Sequence, residues 1–116
     1  MVPSMSMGNR KDQLMGKLDL LILRILSSGD SMHGYAIAER IEQFSENVLQ
    51  VGEGSLYPAL HRIEEAGWIR SSWAPSDNNR RARFYRITAA GRRQLAHEET
   101  EWLRAADAIT RVLRLA

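Results

Sequence analysis

The chain of 116 residues contains no cysteine. That excludes disulfides and thiolate metal sites, and it fits a reducing, cytoplasmic setting. A long apolar run is also missing. The longest, Leu20–Leu26, is short and interrupted by Arg24, so no membrane span fits. The opening MVPSMSMGNRKDQ has no apolar signal core and reads as a mobile leader over residues 1–15. There is no glycine-rich phosphate loop, and His33, His61 and His97 are scattered without metal-ligand spacing. The paired acids Glu64–Glu65 and Glu98–Glu99 fall on adjacent helix positions, about 100° apart, and do not converge on a substrate. No catalytic residue, metal site or cofactor is expected.

Net charge is also scarce, at +2, but it is unevenly distributed. Between Arg80 and Arg93 there are six arginines and no acid. The acids gather elsewhere, at Glu39, Glu42, Glu46, Glu53, Glu64 and Glu65 and again at Glu98, Glu99 and Glu101. A local basic patch on a near-neutral chain reads either as a solvated arginine-rich surface or as a face for a polyanion. A hydrophobic share of 44% is enough for one folded domain with a modest core.

Periodicity supplies the elements. Leu18, Leu21, Ile22, Ile25 and Leu26 recur at helical spacing, and Leu20 and Leu23 add a second apolar face. A helix over Leu18–Ser27 that is apolar on most sides belongs in the centre of the core. It starts near Gly16 or reaches back towards Lys11, and Gly29 stops it. A second helix is expected over His33–Phe44, with Ser31 as N-cap and Ile37, Ile41 and Phe44 facing inward. Gly34 and Ala38 allow close approach, Tyr35 is left exposed, and His33 reads as a capping or packing residue ahead of a ligand or switch. Val48–Val51 reads as an extended link or a minimal strand.

The stretch Gly52–Arg86 is the most informative. Leu56, Leu60 and Ile63 make the inward stripe of a third helix over Glu53–Ala66, closed by Gly67. Pro58 argues for a start near Gly54 or Ser55, where its missing N–H needs no helical partner, or for a bend after an earlier start. Opposite the stripe lie Ser55, Pro58, His61, Arg62 and Glu65, flanked by Tyr57. Trp68–Trp73 and Arg83–Ile87 carry β-formers, and the polar tip Ala74–Ala82 joins them as a hairpin. Two strands alone are marginal, so the hairpin must lean on the helices or on Val48–Val51.

Thr88 is a good N-cap for a last helix running to about Leu113. At 1.5 Å per residue it spans about 39 Å, too long to bury on so small a domain. Leu95, Trp102 and Ile109 recur every seven residues, and Ala106 and Leu113 fill the intervening positions. Leu103 and Val112 widen the stripe. This helix-pairing pattern is marred only by Glu99, and a second copy of the chain is its simplest partner. The chain thus divides into a leader (1–15), a domain (16–87) and a pairing helix (88–116).

Helix, helix, helix, strand, strand is the winged helix-turn-helix plan, so the expected fold is mainly α with a small β-hairpin wing and a long C-terminal dimerisation helix. A helix fits the major groove of double-stranded DNA, and the exposed donors on the third helix suit base edges and phosphates. Asn78, Asn79, Arg80 and Arg81 at the wing tip, with Arg83 behind them, can reach neighbouring phosphates or the minor groove. Tyr35 is a further phosphate donor.

Three blocks, GKLDLLILRIL with HGYAIAERI, GSLYPALHRIEEAGWI, and RRARFYRITAAGRRQL, resemble the PadR family of bacterial transcriptional regulators over Gly16–Leu95. The second block is the most specific. The resemblance implies a homodimer, joined largely by its C-terminal helices, that binds an inverted-repeat operator, usually as a repressor. The single C-terminal helix places the chain with the short members. It also implies that the LYPAL helix is the recognition helix, which puts Ser55, Tyr57, His61 and Arg62 at the DNA with Tyr35, Arg80 and Arg81 nearby. Some short members hold flat aromatic compounds between the dimer halves, stacked on an aromatic of the last helix. Trp102 stands at that place, although a tryptophan on a seam reads first as interface packing.

Overall fold

Four helices frame a small antiparallel sheet in the computed structural model, which describes residues 10–78 and 80–116. They are α1 (Arg10–Leu26), α2 (Gly34–Phe44), α3 (Glu53–Glu65) and α4 (Ala89–Leu115). The strands are β1 (Met32–His33), β2 (Ile69–Pro75) and β3 (Arg81–Ile87), in the order β1-β3-β2. This is the mainly helical winged helix-turn-helix plan with a long last helix.

Helix α1 is the hub and touches α2, α3, α4 and β3. It begins at Arg10 and runs through Gly16. Part of the expected leader is therefore helical, while residues 1–9 lie outside the described residues. Arg, Lys, Gln, Leu and Met are good helix formers, and one interior glycine costs only about 1 kcal/mol, too little to end the helix. Leu18, Ile22, Leu23 and Leu26 are fully buried, and Leu21 and Ile25 pack at the core's margin. Each fully buried leucine or isoleucine contributes about 1.5–3 kcal/mol of transfer free energy.

The N-cap of α2 is His33, not Ser31. Its Nδ1 accepts the Ala36 N–H at 3.1 Å. The reason is that Met32 and His33 are drawn into the sheet opposite Tyr85 and Phe84, which keeps the chain extended up to His33. That pairing also supplies the third strand. Residues 48–51 do not: Glu46 and Asn47 take φ of 52° and 66°, the chain turns, and the Val51 N–H donates to Glu42 Oε2 at 3.0 Å. Phe44, expected inward, is 72% exposed, because the helix ends there and Leu49 packs on the core instead.

Helix α3 starts at Glu53 as expected, the earlier of the starts that Pro58 leaves open, with Gly52 as its N-cap and no side-chain cap. Pro58 therefore lies beyond the first turn and leaves the Gly54 carbonyl without its i+4 donor. The far end closes as a Schellman motif. Gly67 adopts φ +83°, its N–H reaches the Glu64 carbonyl at 2.9 Å, and the Trp68 N–H reaches the Ile63 carbonyl at 3.0 Å.

The hairpin is longer and its tip shorter than the sequence pattern implies. Pairing continues through Trp73↔Arg83 and Ala74↔Ala82 to Pro75↔Arg81. Ser76 closes the loop, with both its N–H and its hydroxyl donating to the Arg80 carbonyl at 2.7 Å. After β3, Thr88 Oγ1 accepts the Gly91 N–H at 3.0 Å and caps α4 as expected. The same hydroxyl donates to the Gly67 carbonyl at 2.7 Å. Gly91 is obligatory, since a Cβ there would stand 2.0 Å from the Trp68 carbonyl oxygen.

Candidate nucleic-acid interface

The inward face of α3 is Ser55, Leu56, Ala59, Leu60 and Ile63. Ser55 is therefore on the wrong side for the groove, and is only 8% exposed. It lies one turn before Ala59 and two before Ile63, so helical geometry places it with the core stripe. Tyr57, Pro58, His61, Arg62 and Glu65 are exposed. His61 Nε2 lies 3.3 Å from Glu65 Oε2 along the helix.

Arg62 is not a free donor. Its Nη2 and Nε donate to the two oxygens of Asp19 at 2.5 and 3.4 Å, which ties α3 to α1. That hydrogen bond holds the guanidinium above its ordinary pKa against the opposing pull of burial. An acid and a base 43 positions apart carry no sequence signal that pairs them.

The wing and the helices enclose a cleft of about 610 Å³. Of the residues expected at DNA, it gathers Tyr35, Tyr57, Asn78, Arg80, Arg81 and Arg83. His61 and Arg62 stand outside the cleft on the exposed face of α3, and Asn79 lies outside the described residues. Tyr57 reaches the cleft because Gly34 lets it. A Cβ at Gly34 would stand 3.1 Å from Tyr57 Cε1 and 3.3 Å from its hydroxyl oxygen. The His33 and Tyr35 rings stack at the rim, 6.4 Å apart and 17° from parallel.

On the wing side, Trp73 carries two cations. The Arg81 and Arg83 Cζ atoms each lie 5.6 Å from its ring centroid. Arg83 Nε also donates to Ser71 Oγ at 2.9 Å, and that hydroxyl donates to Glu64 Oε2 of α3 at 2.6 Å. Tyr85 lies at the cleft floor. Burial is the main cause that raises its phenol pKa; nearby Arg83 opposes the shift, and Glu64 and Tyr57 add to it. The expected set omits Trp73, although a tryptophan in a strand opposite a chain of alternating arginines was a readable signal.

The last helix shows a different surface. Leu95, expected on the pairing seam, is only 7% exposed and belongs to the chain's own core, where α4 crosses α1. Beyond it Trp102, Leu103, Ile109, Val112 and Leu113 are all exposed, with Ala106 partly so. Lys17 Nζ stands 5.1 Å over the Trp102 ring. No described helix is long and apolar enough to cross a membrane, and among the described residues no group of acids and histidines is placed to hold a metal ion.

Comparison with known proteins bears on this geometry. The sequence profile of the transcriptional regulator PadR-like family matches residues 22–97. An uncharacterised protein of Lysinibacillus sphaericus is 30% identical over 100 residues, covering 86% of this chain and 91% of its own. A transcriptional regulator structure from Clostridium thermocellum superposes with a TM-score of 0.77 at 29% identity, over 86% of this chain and 96% of that one. A PadR-like transcriptional regulator structure from Bacillus cereus gives 0.75 at 26% identity, over 90% and 99%. Such regulators are DNA-binding proteins and not enzymes. With a winged helix-turn-helix, a cation-lined cleft beside its third helix and a family match across both, the chain belongs to the PadR-like family of transcriptional regulators.

Proposed function

We propose that the protein binds double-stranded operator DNA as a homodimer and represses transcription from an inverted repeat. The observation that carries this reading is the convergence of Tyr35, Tyr57, Arg80, Arg81 and Arg83 on one cleft beside the exposed face of α3. Helix α3 enters the major groove with Tyr57 and His61 towards base edges. The wing arginines grip flanking phosphates, and Arg62, held by Asp19, sets the tilt of the helix. The bare apolar stripe on α4 joins two copies and sets their α3 helices about 34 Å apart, one turn of DNA. A planar aromatic effector at Trp102 would change the angle between the halves and shift the population away from that spacing. It would have to displace Lys17 or use the opposite face of the indole.

The test is fluorescence anisotropy with duplex DNA from the region upstream of the protein's own gene, against a scrambled duplex, across a salt series. Arg80→Ala with Arg81→Ala should weaken both duplexes and flatten the salt slope by about 4, one for each cation lost across the two protomers. Tyr57→Ala should weaken the upstream duplex more than the scrambled one. Absence of any salt-dependent binding by the unaltered protein would overturn the reading in favour of a dimeric interaction protein.

A further inference from the structure

We propose that Trp73 is a positioning residue for DNA binding: its indole holds Arg81 and Arg83 as a prearranged pair of cations, and the Glu64–Ser71–Arg83 hydrogen bonds fasten that pair to helix α3. The proposal rests on the DNA-binding reading above and extends it to how the wing is set relative to the helix.

Three observations carry it. The hairpin register puts Ile69, Ser71, Trp73 and Pro75 on one face with Ile87, Tyr85, Arg83 and Arg81 opposite them. At the base of the hairpin this face is core, with Ile69, Tyr85 and Ile87 buried. Towards the tip it runs past the core and becomes the wall of the cleft, where Trp73 is 56% exposed. An indole left this open does little for the core. It lies instead within cation–π range of both guanidiniums.

The second observation is the contrast within the hairpin. Arg70 and Arg86 pair across the other face and are exposed, and among the described residues neither makes a cation–π contact. Two arginines are stacked where the cleft opens, and two are not where it does not. Flexible arginines lose rotamer freedom when they bind, so a surface that orders them beforehand lowers that loss. Two cations on alternate residues of a strand sit about 6.6 Å apart along it. Held on one indole, they present a fixed spacing to consecutive phosphates of one DNA strand.

The third is the connection to α3. Arg83 Nε donates to Ser71 Oγ at 2.9 Å, and Ser71 donates to Glu64 Oε2 at 2.6 Å. Glu64 lies on the same helix as Tyr57, which faces the cleft from the opposite wall. The wing cations and the helix donors are thus linked through side chains as well as through the strand. A carboxylate in the reading head, which would repel DNA if it faced the phosphates, is turned towards the wing and occupied by Ser71.

The experiment is a double-mutant cycle read by anisotropy on the upstream and scrambled duplexes over a salt series. Trp73→Ala should weaken both duplexes about tenfold while the salt slope stays within about one unit of the unaltered protein, since every cation is retained. Trp73→Phe should recover most of the loss. In an Arg81→Ala, Arg83→Ala background, Trp73→Ala should cost less than twofold, because nothing is left to position. A full tenfold loss in that background would overturn the proposal and make Trp73 a direct DNA contact. Equal binding by Trp73→Ala and the unaltered protein would also overturn it, with the DNA-binding reading intact. Thermal melts of the same variants separate hairpin damage from positioning: a loss of binding that tracks a loss of Tm, and that Trp73→Phe fails to rescue, counts against the proposal. No salt-dependent binding by the unaltered protein removes the reading on which it stands.

Discussion

Among the large apolar side chains that the described residues expose, two groups keep different company. In the wing cleft, Tyr35, Tyr57 and Trp73 alternate with Arg80, Arg81 and Arg83. On the outer part of α4, Trp102, Leu103, Ile109, Val112 and Leu113 form a stripe, with Lys17 standing over the Trp102 ring. Aromatics mixed with arginines suit a partner that is flat, polar and negatively charged. An aliphatic stripe at heptad-like spacing suits a partner that is apolar and helical, such as a second copy of itself. Exposure alone does not distinguish the two surfaces; what surrounds the exposed carbon does.

The sharpest way to break this comparison is to make the stem polar. Ile109→Glu with Leu113→Glu should leave a folded monomer by sedimentation and circular dichroism. On the proposed dimer, operator affinity should fall about a thousandfold, because two linked reading heads would become one. A dimer that survives the double change would move the seam elsewhere.

Next in size is a test inside α4 itself. Leu95 and Leu113 belong to the same stripe, yet one is buried in its own chain and the other is 78% exposed. Leu95→Ala should lower stability by about 2 kcal/mol in both the intact protein and the monomeric variant. Leu113→Ala should cost stability only in the dimer. Denaturant titrations of both backgrounds separate the two.

The smallest expected effect is a response to alkali that belongs to the head alone. Tyr85 has its pKa raised above the ordinary tyrosine value, chiefly by burial, so the folded state keeps its proton longer than the unfolded chain does. Its contribution is fully present below the unfolded pKa, about 10, and is lost as pH rises through the folded value. Unfolding free energy should therefore decline more steeply with pH above about 10 in the unaltered protein than in Tyr85→Phe. Equal slopes would remove Tyr85 as the cause.

Much of this was legible in the chain. The apolar faces of α1, the glycine stop at Gly67, the Thr88 cap and the length of α4 each follow from local pattern, and local pattern is what periodicity reports. What escaped was whatever depends on contacts far apart in sequence. β1 is two residues long, too short for any alternation, and exists only because β3 passes beside it. Ser55 reads as facing the groove, opposite the Leu56, Leu60 and Ile63 stripe; in the folded chain it lies one turn before Ala59 and joins the core. Arg62 reads as a free donor in the sequence, since nothing near it reveals Asp19. Leu95 fits the seam by spacing, but one stripe can serve two partners in succession, and where it changes hands is decided by where the domain ends.

The joint at Thr88 has a consequence for how such a protein can be altered. One hydroxyl closes the start of α4 and grips the end of α3, and Gly91 is pressed on the Trp68 carbonyl. The stem therefore leaves the head at a set angle and in a set rotational phase. Another helical zipper spliced in after Leu95 in the same phase would give a new pairing preference with the old reading head. In the proposed dimer, a zipper spliced one residue out of phase would turn the partner by about 100° and point the second head away from the DNA.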